Sequence, residues 1–160
     1  MSVYAAEHDR RVFATLVAFL GLADANQADL WRRQAQLPVR FAGLGLRNSV
    51  RTALAAYWAS WADCLQPLTQ RYPELGGQLL NYLTGLEERA PPCVRAAQQA
   101  GTHLDAAGMQ DRPGWPAVAG GARPRQPDRE ETEPGDWQHG WQFWAATSLE
   151  QQEHQLLLSD

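Results

Sequence analysis

Lysine and isoleucine are absent from this 160-residue chain, and cysteine occurs only as Cys64 and Cys93. Two thiols can build neither a disulfide framework nor a four-thiolate zinc site, which points to a reduced, intracellular chain, nuclear or cytoplasmic. No apolar run approaches the roughly 20 residues of a membrane-spanning helix. The opening MSVYAAEHDRR lacks a basic segment followed by an apolar core, so no secretory signal is read there. The missing lysine and isoleucine, whose codons are AT-rich, mark a GC-rich gene. All 14 basic residues are therefore arginine partly through codon usage, which weakens arginine alone as a sign of phosphate binding. A chain of this length makes one ordinary domain, and its mean hydropathy of -0.46 suits a soluble chain with some poorly folding stretches.

Charge is distributed unevenly. Residues 30–62 carry five arginines, Arg32, Arg33, Arg40, Arg47 and Arg51, and no acid, whereas residues 127–160 carry Arg129 against eight acids. Such a basic stretch suits an anionic partner, and it equally suits pairing with the chain's own acidic tail or plain solvation.

The apolar spacing is mainly helical. Asp9 reads as the cap of a first helix with Val12, Phe13, Leu16, Val17, Phe19 and Leu20 on one face, closed by Gly21. A short second helix follows Asn26 and ends before Leu37, because Pro38 disfavours helical geometry ahead of it. Leu37, Val39 and Phe41 alternate with Pro38, Arg40 and Ala42, the period of an extended strand. Gly43 and Gly45 then make a turn. As a phosphate loop it is incomplete: Asn48 stands where the third glycine of a dinucleotide fingerprint belongs, and no Gly-Lys-Ser/Thr follows.

The strongest helix is capped by Asn48 or Ser49. Val50, Ala53, Leu54, Tyr57, Trp58, Trp61 and Leu65 recur along it at spacings of three and four. That aromatic stripe reads as core; base stacking on Trp58 or Trp61 would need exposed rings. Cys64, at its end, reads as a buried thiol. Residues 74–88 predict another helix, with Leu75, Leu79, Tyr82, Leu83 and Leu86 on one side, and residues 93–107 an alanine-rich one. The proline- and glycine-rich segment that follows lacks the apolar content to offset ordering and reads as a flexible linker. Asp136 then caps a last helix bearing Trp137, Trp141 and Trp144.

No catalytic constellation can be assembled. There is no paired-aspartate box, H-E-x-x-H, C-x-x-C or G-x-S-x-G. The four histidines, His8, His103, His139 and His154, are scattered. No metal ligands and no cofactor site are read.

Three blocks carry a family resemblance. Gln34-Ala35-Gln36-Leu37-Pro38-Val39-Arg40, Gly43-Leu44-Gly45-Leu46-Arg47 and Ala55-Ala56-Tyr57-Trp58-Ala59-Ser60-Trp61 resemble the region after the polymerase palm in non-LTR retrotransposon reverse transcriptases. Pro134 to Gln142 resembles a further downstream block. The resemblance covers about residues 8–63 and 134–145, on packing and turn residues. Ala42 replaces the first glycine of the family's Gly-Gly-Leu turn. The family's metal-binding aspartates would precede residue 1, so none is carried over; Met1 reads as an internal methionine or gene-model start, and Asp160 as an early end.

The resemblance implies a thumb-like segment, inactive alone as an RNA-directed DNA polymerase, that tracks an RNA or RNA–DNA hybrid backbone through Arg40, Arg47 and Arg51, then Arg32 and Arg33. The alternative is a protein-interaction module that docks Trp137, Trp141 and Trp144 into a partner, and a third reading is a translated fragment without a role. The expected architecture is mainly α. A bundle of four to five helices with a short extended proline/glycine turn segment fills residues 1–108, a linker 109–135, and an acidic tryptophan-bearing helix 136–158.

Overall fold

The computed structural model describes residues 2–21, 28–109, 111–124 and 140–159. They form seven α-helices and no strand: α1 (Ser2–Leu20), α2 (Ala28–Gln36), α3 (Ser49–Arg71), α4 (Pro73–Leu83), α5 (Pro92–Ala106), α6 (Trp115–Ala119) and α7 (Trp141–Ser159). The mainly α expectation holds. The chain divides into two compact units, residues 1–53 with 149–160, and residues 54–148.

In the first unit α1 begins at Ser2, so Asp9 lies inside it rather than at its start. Its carboxylate caps a different helix. Asp9 accepts hydrogen bonds from the backbone N–H groups of Ser49, at 2.9 and 3.1 Å, and Val50, at 3.4 Å. Asn48 Oδ1 accepts a third, from the Arg51 N–H at 2.9 Å, as a capping side chain does. Of the six apolar side chains expected on the inner face of α1, Phe13 alone is buried, and Phe19 is 86% exposed.

The strand expected at 37–41 is instead a 3₁₀ turn over Val39–Phe41. The alternating residues do not share a packed face: Leu37 is buried, Phe41 half-buried and Val39 exposed. The next residues fold back onto the end of α2. Gly43 N–H donates to Pro38 O, Leu44 and Leu46 N–H to Ala35 O, and Gly45 N–H to Leu37 O, at 2.8–3.2 Å. Gly43 is obligatory here, since a Cβ would sit 2.0 Å from Leu37 O. The glycine turn is thus structural, its amides occupied by backbone carbonyls.

In the second unit α3 continues through Pro67 to Arg71. Pro67 costs that helix one hydrogen bond, to the carbonyl four residues back, and is tolerated near its last turn. Gly76 lets α4 approach closely, because a Cβ would meet Thr69 Cα at 2.6 Å. α4 stops at Leu83, short of the expected 88. Gly85, at φ +77°, donates to Tyr82 O and Leu86 to Asn81 O, the paired closure of a Schellman motif. Leu86 is consequently outside the helix and 76% exposed. The same hydrogen-bond pattern closes α5 and α6.

Part of the expected linker is folded. Within 111–124, α6 buries Trp115 and Val118, and Met109 just before it is fully buried. Residues 125–135 lie outside the described residues. Proline content misled here because Pro116 occupies the first turn of α6, where a missing N–H is harmless.

Around Trp58, fully buried, pack Trp115, Trp141 and Trp144 with ring centroids 5.8, 5.5 and 6.2 Å away. The Arg112 guanidinium lies 5.2 Å from the Trp58 ring and is fixed by two hydrogen bonds to Asp105, at 2.7 and 3.0 Å. Of the stripe's three aromatic rings Trp58 is core, as the spacing predicted, while Tyr57 and Trp61 are half-buried. Cys64, expected buried, is exposed.

Candidate nucleic-acid interface

All five arginines of the acid-free stretch lie in the first unit, and each meets a carboxylate of that unit. The C-terminal part of α7 supplies most of these. Glu153, itself 8% exposed, accepts from Arg33 Nε at 2.8 Å and from an Arg51 terminal nitrogen at 2.9 Å. Those two guanidiniums are about a third exposed or less, and their carboxylate is enclosed. They build the unit.

The other three face solvent more. Arg40 donates to Glu150 at 2.9 Å with its side chain 52% exposed. Arg47, 65% exposed, stands 3.5 Å from the same carboxylate, and Arg32, 45% exposed, stands 3.7 Å from Asp29. Four guanidiniums thus converge on the two carboxylates Glu150 and Glu153, an excess of positive charge on this face. Phe41 stacks on the His154 ring at 4.4 Å, and the Arg40 guanidinium lies 4.9 Å from the Phe41 ring. Arg40 therefore lies against a stacked aromatic pair.

Arg32 and Arg47 also line an open cleft of about 240 Å³ formed by α1, α2 and the segment leading to α3. His8 and the side chains of Val12, Phe13 and Leu46 share its wall. On the outer surface of α1, hydrogen bonds from Arg10 and then Arg11 hold the Glu7 carboxyl down to about 2, well below its ordinary range.

Two of the three tryptophans expected to dock a partner, Trp141 and Trp144, lie among the described residues. Trp141 is 4% exposed and Trp144 half-buried, their rings edge to face at 5.5 Å within the second unit's core. Trp141 N–H, at the start of α7, donates to Asp63 of α3 at 3.3 Å. Trp137 and the Asp136 cap lie outside the described residues. Trp141 is enclosed, and Trp144 keeps part of its ring accessible.

Sequence reasoning named the five arginines and raised the acidic tail as their partner, but could not single out Glu150 and Glu153. Their spacing of three on one helix was the available signal. The cleft residues His8, Val12 and Leu46 carried none. Among the described residues no three histidine, cysteine or acidic side chains gather as a metal site, and no helix is long and apolar enough to cross a membrane. Comparison with family models, curated proteins and solved structures finds no match for this chain.

Proposed function

We propose that the chain is a helical, post-palm segment of a non-LTR retrotransposon reverse transcriptase that holds the phosphate backbone of an RNA or RNA–DNA hybrid and does not polymerise by itself. The sequence blocks around Leu37-Pro38-Val39-Arg40 and Gly43-Leu44-Gly45-Leu46-Arg47 support the family. The observation that carries the binding role is the convergence of four arginines on two glutamates, with Arg40 and Arg47 more than half exposed. A phosphate can approach both guanidiniums without dismantling the Arg33–Glu153–Arg51 bridge. Arginine suits this task, since its planar fork donates two hydrogen bonds to one phosphate.

The test is fluorescence anisotropy with a labelled RNA–DNA hybrid at several salt concentrations. Binding is expected to weaken steeply with salt, and Arg40→Ala with Arg47→Ala to flatten the slope by about 0.7–0.9 per lost contact. Salt-independent binding, or an unchanged slope in a folded double variant, overturns the reading.

A further inference from the structure

The five arginines are not equally engaged. Arg33, Arg40 and Arg51 each donate a side-chain hydrogen bond of 2.8–2.9 Å to a glutamate. Among the described residues Arg32 and Arg47 make the looser ion pairs, at 3.7 and 3.5 Å, and both line one cleft. A guanidinium carries five N–H donors, so the two arginines lining this cleft keep most of their donors available. Arg32 is held by a cation–π contact 4.8 Å from the Phe13 ring, a position that does not consume its hydrogen bonds.

The rest of the wall defines what an occupant must look like. Val12, Phe13, Ala35 and Leu46 are apolar, and His8 adds an imidazole. Asp9, the one carboxylate of the wall, already accepts the first N–H groups of α3 and lies at that helix's positive end, which offsets its charge. The cleft's 240 Å³ exceeds the roughly 150 Å³ that encloses a single benzene ring and falls below the 300–1,000 Å³ of drug-sized sites. One flat ring on the apolar wall, with an acidic group reaching the lining arginines, meets those limits.

We infer that this cleft binds a single pyrimidine nucleotide, its phosphate on Arg32 and Arg47 and its base against Val12, Phe13 and Leu46. The inference deepens the nucleic-acid reading and rests on it for the choice of a nucleotide among flat anions. Two sources share this chemistry: a free nucleoside monophosphate and the unpaired end of a strand.

The experiment titrates the full chain with uridine monophosphate, uridine and inorganic phosphate by calorimetry. Uridine monophosphate is expected to bind, with each half-ligand at least about tenfold weaker. Arg32→Gln should weaken the nucleotide about tenfold, the loss of one charge-assisted contact. Leu46→Glu should abolish binding by setting a carboxylate in the cleft, while helical circular dichroism in both variants remains that of the parent. No binding of the nucleotide, binding no tighter than inorganic phosphate, or an Arg32→Gln affinity equal to the parent's overturns the inference.

A competition with an RNA–DNA hybrid bearing a 5′-phosphorylated single-stranded end separates this from the broader reading. Because Arg47 serves both sites, a blunt hybrid is the control: stronger displacement of the nucleotide by the phosphorylated single-stranded end than by the blunt hybrid supports the strand end as source, and equal displacement by the two supports the free nucleotide. Hybrid binding with no nucleotide binding removes the cleft and keeps the backbone reading. Nucleotide binding without hybrid binding does the reverse.

Discussion

Asp9 and Asp63 do the same work in different units. Each lies inside one helix and accepts from the first backbone N–H groups of another, Asp9 from Ser49 and Val50, Asp63 from Trp141. Those N–H groups have no partner within their own helix, and a carboxylate also favours the helix's positive end. Asp9→Ala is expected to lower stability by about 1–2 kcal/mol and Asp63→Ala by about 1 kcal/mol, the range of lost caps, in urea unfolding. Asp9→Asn should recover most of the loss, because an amide oxygen can accept the same bonds; equal loss in both variants would contradict a capping role. Glu7 gives a second residue-scale expectation. Its folded pKa, about 2, lies below the ordinary value of 4.5, so its bonds to Arg10 and Arg11 favour folded α1 above pH 4.5 and are lost as pH falls toward 2. Carboxyl NMR should place its midpoint near 2, and Arg10→Ala should raise it.

At the scale of elements, what the sequence disclosed was periodicity, and what it hid was long-range partnership. The stripe of α3 was legible because Trp58 and Leu65 fall on one face and both are buried. The turn at 37–46 was not. Leu37 and Phe41 give the same alternation in a strand as in a tight reversal, and only the hydrogen bonds back to Ala35 and Leu37 distinguish them. Pro67 lies inside α3 although it removes a backbone donor, because the fold around a helix, and not one lost bond, decides where the helix ends. The candidate site was half legible: five arginines without acids stood out, but Glu150 and Glu153 lie about a hundred positions away. Gly43 tests the element directly. Gly43→Ala forces its Cβ to 2.0 Å from a backbone oxygen, which no rotamer change relieves. A loss of about 3 kcal/mol is expected, at the upper end for overpacking, whereas Gly77→Ala, with nothing within 4 Å, should be neutral or slightly stabilising. Thermal unfolding of the two variants compares them.

At the scale of the whole chain, the first unit is assembled from the two ends of the sequence, residues 1–53 and 149–160, and the second from what lies between. The contacts that close the first unit are correspondingly distant, Arg33, Arg40 and Arg51 reaching Glu153 or Glu150 over 120, 110 and 102 positions. Leu149 and Glu153, both buried, make the last turns of α7 part of that unit's interior rather than a tail. The Trp58, Trp115, Trp141 and Trp144 cluster needs nothing beyond Ser148. A chain ending at Ser148 is therefore expected to keep the blue-shifted fluorescence of buried tryptophan while losing helical circular dichroism in excess of the residues removed. Glu153→Ala in the full chain should act in the same direction, costing about 2 kcal/mol. That is less than the 3–5 kcal/mol of a fully buried pair, because the Arg33 and Arg51 side chains stay 28% and 32% exposed. If the shortened chain instead keeps every helix outside 149–159, the arginines are solvated and Glu150 and Glu153 do not hold them. If it loses the tryptophan signature as well, the two units fold only together, and the distant pairs sustain both.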